Sequence, residues 1–168
     1  LVEREFFDDI FMRVPQARKR VYAQFMTFEG DEVGLRLSLQ LIAAKRRGLD
    51  VQVIIDDFTD KFLSDKHVMH PLLKKEARAT VGMIKRMKQA GIRVVRTRPF
   101  GRGNLFFLFR NHKKIMIIDE VAYVGGNNIS EHNRDWHDFM VRMDYPGIVK
   151  TLEEDFHDTS RGKETSRN

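Results

Sequence analysis

The sequence predicts a single α/β domain, on three observations. Val51-Gln52-Val53-Ile54-Ile55 is a short apolar run of the kind a buried parallel strand uses, and a helical stretch ending in Lys45-Arg46-Arg47-Gly48 comes just before it. Leu73, Ala77, Val81, Ile84 and Met87 then recur at helical spacing until Gly91, and the strand-like Ile92 to Thr97 follows at once. Helices and strands thus alternate along 168 residues with no internal repeat and no low-complexity tract.

Taken in order, residues 19–28 (KRVYAQFMTF) mix aromatic and aliphatic side chains in a short run that suits a buried strand. Leu35, Leu37, Leu39 and Leu41 alternate as a half-buried strand would, but Ile42 to Gly48 reads as a helix end. Helix is the better reading, because a parallel strand at Val51 needs a crossover before it. Asp56 and Asp57 close that strand at its carboxyl end, where open α/β sheets place their sites. Phe58 to His70 reads as a loop, Pro71 as a first helical turn, and Pro99 to Gly103 as a second loop. Lys114 to Ile118 and Val121 to Val124 form two apolar strands around an Asp119-Glu120 turn. Phe139 to Met143 is a further strand, and Pro146 opens a last helix through about His157. The domain is expected over 1–159, with Ser160 to Asn168 a polar tail or linker. Met12, Met26, Met83 and Met87 are expected to fill the core.

Composition narrows the chemistry. Hydrophobic residues make up 42% and charged residues 32%, and no cysteine is present, which excludes disulfides, thiolate metal sites and cysteine nucleophiles. No run approaches the roughly 18 apolar residues of a membrane span. The chain opens on Leu1 without a secretory signal, and it reads as a piece of a longer protein. Net charge is +6, unevenly placed. Between Glu76 and Asp119 there is no acidic residue, while Arg78, Lys85, Arg86, Lys88, Arg93, Arg96, Arg98, Arg102, Arg110, Lys113 and Lys114 supply eleven cations. Such a window points to an anionic partner, although Lys85, Arg86 and Lys88 equally suit a solvated helix face.

The chemistry concentrates in Arg110 to Asp119 and in Gly125-Gly126-Asn127-Asn128. On a strand, His112 and Lys114 share one face and Lys113 points to the other. The two glycines let their backbone approach closely and bring the Asn128 amide to the same surface. A neutral imidazole can attack phosphorus, an ammonium can neutralise a phosphate oxygen, and a carboxamide can donate to another. A carboxylate is then needed to fix the imidazole tautomer, and Asp138, Glu131 and Asp119 are the candidates by position. On its own, a His two residues before a Lys at the head of a strand is common and unspecific.

His112-x-Lys114, four residues, Asp119, then Gly125-Gly126 and Asn128, resembles the HKD motif of the phospholipase D superfamily. IMIIDEVAYVGGNNISEH, with DWHDFMVRM after it, is most similar to the bacterial cardiolipin synthase branch. Glu29 to Gly34 and the VQVIIDD strand resemble the first half of those enzymes. The resemblance implies a phospholipase D-like mixed sheet flanked by helices, in which two HKD motifs meet. It implies His112 as the nucleophile that becomes a phosphohistidine, Lys114 and Asn128 as phosphate ligands, and Asp119 as the motif member that holds local structure. Asp138, after Trp136, matches the acidic residue that orients the His, with Glu131 the less favoured substitute and Gly125 and Gly126 in support. It implies no metal and no cofactor.

Two departures accompany it. The stretch from Asp119 to Gly125 is one residue shorter than the family's common spacing, and only one HKD motif is present, since none of His67, His70, His132, His137 or His157 has a Lys two positions on. The expected partners are therefore a second HKD half, in the same chain or in a homodimer, together with an anionic phospholipid and an alcohol acceptor. The expected activity is phosphatidyl transfer or phosphodiester cleavage on phospholipids, peripheral at the inner membrane of a bacterial cytoplasm. The alternatives are a nuclease of the same fold, with nucleic acid as partner, and a non-catalytic membrane-binding half. His132 and His137 with Asp135 and Asp138 offer metal-ligand chemistry but form the weaker reading. Leu105 to Phe109 suits a lipid contact or a buried strand equally.

Overall fold

The computed structural model describes residues 1–56, 71–97, 111–131 and 138–162. Along the chain run α1 (Glu3–Gln16), β1 (Arg20–Phe25), α2 (Glu32–Arg46), β2 (Asp50–Asp56), α3 (Pro71–Gln89), β3 (Arg93–Thr97), β4 (Ile115–Ile118), β5 (Val121–Gly125), β6 (Met140–Met143) and α4 (Pro146–Ser160). The six strands form one mixed sheet in the order β3-β2-β1-β4-β5-β6. β1, β2 and β3 are parallel, and β4, β5 and β6 add antiparallel to the β1 edge. The expected α/β class and mixed sheet are thereby met.

Two apolar layers follow from strand alternation. Val21, Ala23, Phe25, Met116 and Ile118 join Leu37, Leu41, Met83 and Met87 under α1, α2 and α3. Tyr22, Ile54, Ile115 and Ile117 meet Val149 and Phe156 of α4 on the other face, where the Tyr22 and Phe156 rings stack at 5.0 Å. Every residue of β4 is buried, because this short strand carries core on both faces.

Three sequence expectations need correction. Met12 stands 55% exposed on the outer side of α1 and does not fill the core, whereas Met83 and Met87 do. Leu39 and Val81 also face solvent, on the outer faces of α2 and α3. The last helix continues through Ser160, and Thr159 and Ser160 are buried, so the polar stretch begins later than expected. No element was assigned before Lys19, yet α1 supplies Phe6, Phe7, Ile10 and Val14 to the core. The Phe58 to His70, Pro99 to Gly103 and Leu105 to Phe109 segments lie outside the described residues, as do Asp57, His132, Asp135, Trp136, His137 and most of the tail.

Candidate active site

β4 enters the sheet antiparallel to β1, with Gln24 paired to Ile115, so the residues just before β4 stand at the carboxyl end of the parallel strands. The Gly125 N–H donates to the Lys114 carbonyl at 3.4 Å, which extends the β4–β5 ladder to Lys114. Lys113 reaches Asp155 of α4 at 2.6 Å and therefore leaves toward the α4 face. Lys114 belongs with Met116 and Ile118 on the opposite face, as alternation requires.

His112 is exposed, and no described residue hydrogen-bonds its imidazole. Its backbone is held instead. Asn111 Oδ1 accepts from the Lys113 N–H at 3.0 Å, an Asx turn with His112 at its middle, and Lys114 Nζ donates to the His112 carbonyl at 2.8 Å. Lys114 is only 9% exposed. Burial draws its pKa below the ordinary lysine value, and the negative charge of Asp138 opposes that shift.

Asp138 packs against Gly126, where a Cβ would overlap its carboxylate, so glycine at that position lets the carboxylate come close. A Cβ at Gly125 would likewise strike the Phe139 carbonyl and Met140 on β6. Asn128 Oδ1 accepts from the Thr27 N–H at 3.2 Å and so ties the loop after β5 to the loop after β1. The same loops exchange backbone bonds between Glu29 and Ile129 and between Ile129 and Thr27. The Glu131 N–H donates to Asp31, whose other oxygen caps α2 by accepting from Gly34.

Asp119 lies elsewhere. It sits at the far end of β4, about 17 Å along the strand from Lys114, with φ of 51° in the turn to β5. Its carboxylate accepts three backbone N–H groups, from Arg18 at 2.9 Å, Lys19 at 2.8 Å and Arg20 at 3.1 Å. Burial alone would raise its pKa, but these donors and the Arg20 charge outweigh it and hold the carboxyl below its ordinary value. Of the residues picked from the sequence, the structure therefore gathers His112, Lys114, Gly125, Gly126, Asn128 and Asp138 at one end of the sheet. Glu131 stands on the adjoining loop, and Asp119 does not join them.

Glu29, Asp31 and Glu76, contributed by the β1–α2 loop and α3, place carboxylate oxygens within 4.8 Å of one another. Burial and a hydrogen bond that protonated Glu29 donates to its neighbour Glu76 push Glu29 up to about 8, so the trio holds a proton near neutrality. Asn127 is wholly buried, with both polar atoms of its amide unpartnered. The sequence assigns no role to any of these four residues, although Asn127 lies in the Gly125 to Asn128 stretch and Glu29 and Asp31 in the Glu29 to Gly34 segment, nor to Gln24, whose Nε2 donates to Asn111 Oδ1 at 3.2 Å. Only Asn111 carried a local signal, an Asn whose side chain can bond the backbone two residues on.

A family described as cardiolipin synthase, PLD-like domain matches residues 10–159. The chain belongs to this family. Among curated relatives of this PLD-like domain, a probable cardiolipin synthase of Bacillus subtilis is 30% identical over 88% of the chain and 28% of its own length. Cardiolipin synthase B of Salmonella typhi is 31% identical over 89% of the chain and 35% of its own length. The chain thus spans about a third of the relatives it matches. Among solved structures, the phospholipase D family member Nuc of Salmonella typhimurium aligns with TM-score 0.64 at 17% identity, over 93% of this chain and 86% of that one. Phosphatidylserine synthase of Haemophilus influenzae aligns with TM-score 0.72 at 17% identity, over 95% and 35%. These likenesses establish the phospholipase D-like fold of the PLD-like domain. Among the described residues, no helix is long and apolar enough to cross a membrane.

Proposed function

We propose that the chain is one catalytic half of a phosphatidyltransferase that exchanges phospholipid phosphodiesters through a phosphohistidine on His112. The observation that carries this reading is the exposed His112 imidazole, held on a clamped backbone beside the sunken Lys114 ammonium, in a domain of the cardiolipin synthase family. In the first step an imidazole nitrogen attacks phosphorus; the N–P bond forms, the P–O bond to the departing alcohol breaks, and that alcohol takes a proton from an acid on the opposite side. In the second step the acceptor alcohol attacks phosphorus, returns its proton to the same group, and the N–P bond breaks. Lys114 balances charge on the non-bridging oxygens, the Asn128 amide donates to one of them, and the charge of Asp138 opposes the effect of burial on the ammonium.

The proton donor must come from a second HKD half, in the same protein or in another copy, because one His cannot stand on both sides of phosphorus. In this reading the protein works peripherally on an anionic bilayer. The exposed Lys85, Arg86 and Lys88 of α3 suit that surface, each worth about 1 kcal/mol near anionic lipid, whereas Lys113 and Arg93 are engaged with Asp155 and the Ser160 carbonyl. The test offers the full-length protein phosphatidylglycerol vesicles and single-stranded DNA side by side. Cardiolipin formation lost in His112→Ala is the expected result. Strand cleavage without lipid product would overturn it in favour of a nuclease, and turnover retained in His112→Ala would remove the nucleophile.

A further inference from the structure

We infer that Asn111 and Gln24 are positioning residues that set the attack geometry of His112. The inference rests on the reading of His112 as nucleophile and adds to it what aims the imidazole. The backbone at 111–114, in contrast to the ring, is held by described residues on both sides of His112. That backbone has two ties of its own. Asn111 Oδ1 accepts from the Lys113 N–H and closes a turn around His112, and Lys114 Nζ reaches back to the His112 carbonyl. Gln24 supplies the link to the sheet. It lies on β1, is 2% exposed, and donates from Nε2 to the same Asn111 Oδ1 at 3.2 Å.

Two features mark Gln24 as more than filler. A buried glutamine in the middle of the mixed sheet costs stability unless both ends of its amide are bonded, and its Oε1 is buried without a partner. An apolar residue would serve the strand better, so a local rule is broken at a point where the buried sheet meets the His112 turn. Gln24 also pairs directly with Ile115, the first residue of β4, so the amide bridges the rigid sheet to the turn over the shortest path. The turn that presents His112 is thereby tied to β1.

The experiment measures steady-state hydrolysis of a soluble bis(nitrophenyl) phosphodiester by the full-length protein in wild type, Asn111→Ala, Asn111→Ser, Gln24→Leu and His112→Ala. Amide exchange at Lys113 is read in parallel. Asn111→Ala is expected to lower kcat by about 10- to 100-fold with KM nearly unchanged, the scale of a small misplacement of a reacting group. It is expected to accelerate exchange at Lys113. Asn111→Ser, whose hydroxyl forms the same turn more weakly, should recover part of both, and Gln24→Leu should lower kcat while the fold is kept. Wild-type kcat in Asn111→Ala beside an inactive His112→Ala would overturn the positioning role alone. So would a loss divided equally between KM and melting temperature without rescue by Ser. Turnover retained in His112→Ala would sink the nucleophile reading, and the positioning role with it.

Discussion

Replacing Asp119 should damage the fold and not the chemistry. Its carboxylate gathers the N–H groups of Arg18, Lys19 and Arg20 at 2.8 to 3.1 Å, and through them pins the start of β1 to the β4–β5 turn. A hydrogen bond to a charged group contributes about 1.5–3 kcal/mol. Three bonds to one half-exposed carboxylate are partly screened and not additive, so about 2–4 kcal/mol is expected for the set. Ala must also adopt the φ of 51° that Asp tolerates, at a further cost of about 1–2 kcal/mol. For a domain of this size each kcal/mol moves the melting temperature about 2–4 °C, so Asp119→Ala should melt about 10 °C lower and Asp119→Asn about half that. The sign with pH is fixed by the depressed folded pKa. The contribution is present above the unfolded carboxylate value of about 4 and is lost as pH falls through the folded value. The difference in melting temperature between wild type and Asp119→Ala should therefore be largest near pH 7 and narrow as pH falls below about 4, leaving in acid the part that comes from the backbone conformation. An unchanged melting temperature combined with a collapse of kcat would refute the reasoning and return Asp119 to the reaction.

Three further outcomes are expected. Glu29, pushed up to about 8, binds its proton more tightly folded than unfolded, so its contribution is full below about pH 4.3 and is lost as pH rises to about 8. Glu29→Gln should flatten that decline, which reaches at most about 1.4 kcal/mol per pH unit, in urea melts across pH 5 to 8; an unaltered slope would remove the shared proton. Asn127→Leu deletes a buried amide with no partner and should raise stability by about 1–3 kcal/mol in a denaturant titration, whereas a fall would show that the amide is bonded to ordered solvent. Gly126→Ala should push Asp138 away from Lys114 and lower kcat by one to two powers of ten with a smaller loss of stability, and wild-type turnover would show that Asp138 need not lie there.

What the sequence made legible was local. α3 was visible because Ala77, Ile84 and Met87 repeat at helical spacing, and β4 because four apolar residues stand between Lys114 and Asp119. α1 escaped although Phe6, Phe7, Ile10, Phe11 and Val14 form a helical face, since Pro15 and the flanking charges obscure the pattern in so short a segment. Leu39 and Val81 misled because an apolar residue at helical spacing is free to stand on the outer face when neighbouring positions already fill the core. Within the site, His112, Lys114, Gly126 and Asn128 lie close together in sequence and were read as a group. Gln24 meeting Asn111, or Glu29 meeting Glu76, depends on pairings that join distant segments, and no local pattern encodes them.

The spacing of the motif acquires a physical meaning from β4. Lys113 leaves for Asp155 on one side of the sheet while Lys114 is buried on the other, so the alternation of β4 already holds at these two residues, and His112 is set on them by the turn that Asn111 closes. The four residues that follow, Ile115 to Ile118, are buried on both faces, so they fix β4 in register with β1 and β5 and leave no freedom to slide. Asp119 then locks the far end by taking three N–H groups from the chain entering β1. A one-residue slip would turn Lys114 from its buried berth to the opposite face and release Asp119 from all three donors at once. The apolar strand therefore works as a ruler between an anchored end and a reactive end, and lengthening it by one residue should abolish activity even where the domain still folds.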